Sequence, residues 1–197
     1  MKEIVLATRN DNKIKEIVSL LQDMGIRFLS LKDFPSSPPI SEAATSFADN
    51  ALLKASTVSQ LTGKPALADD SGLEVDFLQG RPGVLSARYA GEGATDEENN
   101  RRLLEELKEV PMPLRGAAFK CTLALVSPSQ KKEIVEGECR GIIALEPQGK
   151  NGFGYDPLFY LPQFNKTFAE LPLKVKNQVS HRAQAVAKLR EVLSEYL

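Results

Sequence analysis

The chain alternates short apolar runs with longer amphipathic stripes, a pattern that predicts an α/β protein. Glu3 to Thr8 is an apolar run of strand length. Asn10 or Asp11 then caps a helix whose Ile14, Ile17, Val18, Leu21 and Met24 fall on one face before Gly25 stops it. Arg27 to Leu31 reads as a second strand, so the chain opens as a βαβ unit, and Pro35, Pro38 and Pro39 impose an irregular loop up to about Ser41. From Ser46 to about Thr62 a second helix carries Phe47, Ala51, Ala55, Val58 and Leu61 at helical spacing, and Gly63 ends it.

Pro65 to Ala68 predicts a short strand ending at Asp69–Asp70–Ser71–Gly72, after which Leu73, Val75 and Phe77 alternate as a further strand. Gly80 to Gly91 reads as a loop with one helical turn, and Thr95–Asp96–Glu97–Glu98 is a capping-box opening to a helix reaching about Lys108. Gly116 to Val126 is a long strand with Glu133 to Ile143 as its antiparallel partner, so a βαβ start and a hairpin share a mixed sheet. Pro147 to Pro162 is rich in glycine, proline and aromatics. Thr167–Glu170 begins a short helix, and Ser180 caps a last helix striped with Ala183, Val186, Leu189 and Leu193.

Composition narrows the chemistry. With 197 residues the chain fits one compact domain or two lobes. Its 25 Lys and Arg against 26 Asp and Glu argue against a nucleic-acid binder held by a basic face. Two cysteines, Cys121 and Cys139, and the single His181 exclude a four-ligand Cys/His zinc cluster and a disulfide scaffold. No apolar stretch approaches the roughly 20 residues that cross a bilayer, and Met1–Leu6 is not a secretion signal, so a cytoplasmic protein without a membrane partner is expected. Carboxylates, lysines and hydroxyls must carry most of any reaction.

Four segments offer it. Thr8–Arg9–Asn10–Asp11–Asn12–Lys13 joins a strand to a helix N-terminus, where backbone N–H groups and a lysine suit a phosphate, although the glycines of a Walker A loop are absent. Alone it reads more readily as a plain capped helix with a solvated lysine. Asp69–Asp70–Ser71–Gly72 puts adjacent carboxylates at a strand end, suited to a hard cation such as Mg²⁺; on a strand they face opposite ways and do not share one role. Gly149–Lys150–Asn151–Gly152–Phe153–Gly154–Tyr155–Asp156–Pro157 frees the backbone and offers two rings to a flat ligand, or plugs a core with them. Lys174, Lys176, His181 and Arg182 cluster near the start of the last helix, an arrangement that suits an acceptor-bearing ligand. Residues 40–76 set Glu42, Asp49, Asp69, Asp70, Glu74 and Asp76 against Lys54 and Lys64, whereas residues 148–182 carry a basic excess of three. Such opposed excesses suit a metal and a polyphosphate.

Taken together the segments resemble the non-standard purine nucleoside triphosphate pyrophosphatases, the inosine triphosphate pyrophosphatase (dITP/XTP pyrophosphatase) family. The likeness runs through Leu6–Ala7–Thr8…Asn10…Lys13, Ser46–Phe47–Ala48–Asp49–Asn50–Ala51…Lys54–Ala55, Ala68–Asp69–Asp70–Ser71–Gly72–Leu73, Pro82–Gly83…Ser86–Ala87–Arg88–Tyr89, Gly152–Phe153–Gly154–Tyr155–Asp156–Pro157 and Ser180–His181–Arg182–Ala183. It implies an α/β homodimer, each chain (1–197) a single domain with a long mixed sheet and two lobes around a substrate cleft. It also implies Mg²⁺-dependent hydrolysis of ITP, dITP and XTP to the monophosphate and pyrophosphate. By the same resemblance Thr8 to Lys13, Lys54 and Ser71 bind the substrate, and Glu42 and Asp70 serve the metal or the water. Phe153, Gly154, Tyr155 and Asp156, with Lys176, His181 and Arg182, frame the base.

The residues agree with that expectation. A triphosphate repels a nucleophile, so its hydrolysis needs cations to offset charge and a carboxylate to orient or deprotonate water, for which Asp70 is the choice. Inosine and xanthine carry a 6-oxo acceptor where adenine carries an amino donor, and donors from His181 and Arg182 favour the former. Two other readings use the same residues: a nucleotide sensor without turnover, and a pyrophosphatase for other modified nucleotides.

Overall fold

The computed structural model describes residues 2–35, 37, 40 and 44–196. Its strands are β1 (Lys2–Leu6), β2 (Ile26–Ser30), β3 (Ala66–Val75), β4 (Gly116–Val126), β5 (Lys132–Ile143), β6 (Phe159–Leu161) and β7 (Lys166–Thr167). The helices are α1 (Asp11–Leu21), α2 (Phe47–Thr62), α3 (Asp96–Glu106), α4 (Leu173–Val179) and α5 (His181–Val192). The strands form one seven-stranded sheet in the order β2-β1-β3-β4-β5-β6-β7. β1 pairs in parallel with β2 and β3, and β6 is antiparallel to β5 and β7. Link 127–131, closed by Ser127 N–H donating to Lys131 O at 2.9 Å, is too short for a parallel crossover, so β4 and β5 form a hairpin. The mixed α/β sheet expected from the sequence is the one observed.

The chain divides into two compact units, one of residues 1–70, 121–137 and 181–197, the other of 71–120 and 138–180. In the first, the period of two along each strand sorts side chains onto two faces. Ile4 and Leu6 of β1, Leu67 of β3 and Cys121, Leu123 and Leu125 of β4 pack with Ile17 and Leu21 of α1 and with Ala185, Val186 and Leu189 of α5. Their neighbours Val5, Ala7, Ala66, Ala68, Ala124 and Val126 pack instead with Ala51, Ala55 and Val58 of α2. The alanines on both partners let α2 lie close to the strands. Buried on both faces, residues 4–6 of β1 and 121–126 of β4 read as near-continuous apolar runs, whereas β5 alternates exposed and covered positions along much of its length.

The second unit is built on Leu73, Val75, Leu103, Leu107 and a trio of phenylalanines, with Phe119 and Phe159 ring centroids 4.6 Å apart and Phe168 5.0 Å from Phe159. Helix α3 starts with the expected capping box: Thr95 Oγ1 accepts from the Glu98 amide, and Glu98 Oε2 accepts from the Thr95 amide at 2.8 Å.

Three expectations are corrected. Residues 66–75 are one strand and not two, because partners supplied to Asp69 and Asp70 remove the cost of burying them and the ladder runs on through Gly72. Thr167–Glu170 makes only a 3₁₀ turn, Phe168–Glu170. Helix α4 was not expected, since LKVKNQV shows no full stripe; it starts after Pro172, and Val175 and Val179, one turn apart, pack onto the second unit's core. Ser180 is thus the single extended residue between α4 and α5. The stretch about Pro38 and Pro39 lies outside the described residues.

Candidate active site

The two faces of β3 explain the fate of its carboxylates. Asp69 shares the face of Leu67 and meets α1 and α5; Asp70 shares the face of Ala68 and meets α2. Lys13 Nζ of α1 lies 2.6 Å from Asp69 Oδ1, and Arg182 Nε of α5 donates to Asp69 Oδ2 at 2.7 Å. The far end of the Arg182 guanidinium pairs with Glu16 of α1, three residues from Lys13 on the same helix side. Cys121 Sγ donates to Asp69 Oδ2 at 3.4 Å. On the opposite face Lys54 Nζ of α2 donates to Asp70 Oδ1 at 2.7 Å and reaches over to Asp69 O at 3.0 Å.

Asp69 is wholly inside while the Lys13 side chain keeps 16% of its surface exposed, so this lysine faces both the carboxylate and solvent. Burial alone would push the Asp69 carboxyl up. The Arg182 and Lys13 charges outweigh it and hold the group well below the usual carboxylate range. Burial likewise works against the charge on Arg182, yet Asp69 and Glu16 keep it firmly protonated. The cluster is therefore a fixed row of alternating charges with a lysine at its wet end.

The N-terminus of α1 is more committed than its sequence suggests. Asn10 Oδ1 caps it, accepting from the Asn12 and Lys13 amides at 3.0 and 3.2 Å, and Thr8 Oγ1 accepts from the Asn10 amide at 3.1 Å. Arg9 reaches Ser37 O at 3.1 Å, and Asp11 pairs with Lys32 at 2.6 Å. Two amides that would serve a phosphate are thus already met by Asn10, which leaves the Lys13 side chain as the segment's strongest anion-binding group.

In the second unit the glycine-rich loop is held as a rigid hook. Asp156 Oδ2 accepts from the Phe153 amide at 3.0 Å and from Lys176 Nζ at 2.5 Å. Lys176 lies 5.2 Å from the Phe153 ring centre and 5.3 Å from that of Phe168, a buried cation between two rings. Gly152, at φ +76°, has no room for a side chain, because a Cβ would come within 1.9 Å of Asp156 Oδ2. Tyr155 is spent inside the unit, its hydroxyl donating to Ser86 O at 2.9 Å. Of the two rings expected to offer a stacking surface, only Phe153 remains half-exposed.

Lys13, Lys54, Asp69, Asp70 and Arg182 are thus brought together in the first unit, and Phe153, Asp156 and Lys176 in the second. His181 is buried at the start of α5, Ser71 follows Asp70 on β3, and Glu42 lies outside the described residues. Sequence reasoning missed Glu16 and Cys121. The signal for Glu16 was available, an acidic residue three positions after Lys13 on a helix side that also carries the core stripe. Cys121 could be placed only once the register of β4 was known.

Two lysines paired with back-to-back carboxylates give this mixed-sheet α/β protein a charged cluster on β3, the third of its seven strands. The chain belongs to the Ham1 family, whose model matches residues 4–192. A protein named dITP/XTP pyrophosphatase from Geobacter sulfurreducens is 52% identical over 193 residues, covering 98% of this chain and 97% of that protein. One of the same name from Geobacillus kaustophilus is 51% identical over 195 residues, covering 99% and 96%. Among solved structures, a HAM1 protein from Coxiella burnetii superposes with a TM-score of 0.89 at 46% identity, covering 99% of this chain and all of that one.

Proposed function

We propose that this protein hydrolyses deaminated purine nucleoside triphosphates, ITP, dITP and XTP, to the monophosphate and pyrophosphate, and so clears them from the nucleotide pool. The observation that carries the reading is the pairing of Lys13 with Asp69 and Lys54 with Asp70 on opposite faces of β3, in a chain about half identical to proteins of that name.

In this reading the anhydride between the α and β phosphates is cleaved: a water oxygen adds to phosphorus, pyrophosphate departs, and the water's proton passes to a carboxylate. Lys13 and Lys54 offset the charge of the triphosphate. Asp70, at the edge of burial and one step from Lys54, orients the water and takes the proton. Asp69 is fully committed to Lys13 and Arg182, which leaves it the task of holding them. Arg182, inside and paired at both ends of its guanidinium, acts by bracing Asp69. Phe153 and Gly154 meet the base, while Asp156 and Lys176, buried and paired with each other, hold the loop that presents them, with His181 next in sequence to the bracing arginine. The monomers pair as a homodimer, and the protein works in the cytoplasm, where thiols such as Cys121 and Cys139 stay reduced. No helix among the described residues is long and apolar enough to cross a membrane.

The donor set fits Mg²⁺. Asp70 supplies the hard oxygen of an ion that is commonly held by one or two carboxylates and substrate phosphates. Glu42 and Asp70 are the residues proposed to hold it. When bound, it neutralises phosphate charge and polarises the reacting phosphorus.

A panel of dITP, ITP, XTP, dATP, GTP and dUTP, assayed with Mg²⁺ and with excess chelator, tests this reading. Turnover of the first three at about 10²-fold or more above dATP is expected, as a site built around a polar feature of its substrate rejects analogues lacking it. The chelator should abolish it. Binding without turnover would indicate a sensor, and preference for dUTP a pyrophosphatase of another specificity.

A further inference from the structure

The base loop has one joint that is held from outside the loop as well as from within. Phe153 is tied by its amide to Asp156, Tyr155 by its hydroxyl to Ser86, and residues 150 and 151 by their amides to Ala169 O. Between them Gly154 sits at φ +61° inside the turn that the Asp156 N–H closes on Phe153 O at 3.2 Å, with open space where a Cβ would be, so it has no side-chain packing of its own. A cavity of about 590 Å³ borders the loop on the α3 side, lined by Asp96, Asn100, Leu104, Gly152, Phe153 and Pro157 among others. On that side two side chains reach Gly154. Asp96 Oδ2 accepts from its amide at 2.6 Å, and Asn100 Nδ2 donates to its carbonyl at 3.0 Å. Asp96 and Asn100 are four residues apart on α3 and share one face of the helix, so a single rigid element grips the peptide planes on both sides of the Gly154 Cα.

We propose that Asp96 and Asn100 are positioning residues for base recognition: by clamping Gly154 from α3 they set the plane of the Phe153 backbone and with it the ring that meets the purine. This rests on the reading that the Phe153–Asp156 loop binds the base. Neither residue touches the reacting phosphates in this account. Their loss should therefore raise KM and blur the choice of base while leaving kcat nearly unchanged, the signature of lost uniform binding. Asp96 is also the first residue of α3, and its charge there favours the helix. A purely structural role would lower Tm but leave KM and base choice alone.

The test compares kcat and KM for dITP and dATP in wild type, Phe153→Ala, Asp96→Ala, Asp96→Asn and Asn100→Ala. Asp96→Ala is expected to raise KM for dITP about fivefold and to reduce the dITP/dATP preference by a similar factor, the scale of one lost hydrogen bond at a solvent-exposed position. Asp96→Asn keeps an acceptor for the Gly154 amide and should restore most of both. Asn100→Ala should act in the same direction, and it decides the matter if Asp96→Ala does not fold. If Phe153→Ala changes KM and base preference but neither clamp variant does, the clamp is overturned and the base loop stands. If Phe153→Ala itself changes neither, the base-loop reading fails and the clamp falls with it.

Discussion

Asp70→Asn is expected to lower kcat for dITP by about 10²- to 10⁴-fold, the usual contribution of a positioned general base, with nucleotide binding retained. The substitution keeps the size of the side chain and an oxygen for Lys54, whose ammonium lies 2.7 Å from Asp70 Oδ1, but removes the negative charge and the basic oxygen. Lys54 then carries a charge less fully neutralised, so the affinity of the triphosphate should hold or increase. Turnover under saturating Mg²⁺ and dITP, together with an equilibrium titration of the nucleotide, separates the two effects. An unchanged kcat would remove Asp70 from the chemistry, and a parallel loss of binding would make it a substrate ligand instead.

The second large effect concerns stability. Arg182→Ala leaves Glu16 and Asp69, both buried, without the guanidinium that joins them, and should cost about 3–5 kcal/mol in urea unfolding. Arg190→Ala, which breaks the more exposed pair with Asp23, should cost no more than about 1 kcal/mol. The two arginines sit on one helix, so the contrast isolates burial from helix propensity. Acid should narrow the gap. The folded Asp69 carboxyl is held well below its unfolded value, so its contribution is complete at neutral pH and is lost as pH falls below about 4, when the unfolded chain begins to bind the proton that the folded one refuses. In the variant that restraint is weaker, and protonation relieves the orphaned carboxylate. Equal costs for the two arginine variants would contradict the clamp on Asp69.

Much of this was legible in the chain because local rules and tertiary packing agree. The stripe of α1, its cap at Asn10 or Asp11, the capping box at Thr95 and Gly63 at the end of α2 all act within one turn and are legible in the sequence; the structure selects Asn10. So was the rule that Asp69 and Asp70 face opposite ways. What escaped depends on contacts distant in sequence. Asp69–Gly72 resembles a turn, and only lysines and an arginine from three other elements make it affordable as the middle of a strand. Helix α4 is short and polar, fixed by the core beneath Val175 and Val179 rather than by its own pattern. Arg182 illustrates the same limit. Its neighbours in sequence suggest a residue looking outward to a base, whereas burial between Glu16 and Asp69 turns it into a brace, a fact carried by residues more than a hundred positions away.

The account turns on which phosphates leave. Phosphorus NMR of dITP incubated with the protein and Mg²⁺ reads this directly. The account predicts deoxyinosine monophosphate and pyrophosphate in equal amounts, no orthophosphate, and dATP left essentially intact under the same conditions. Orthophosphate with deoxyinosine diphosphate, or equal consumption of dATP, would contradict it.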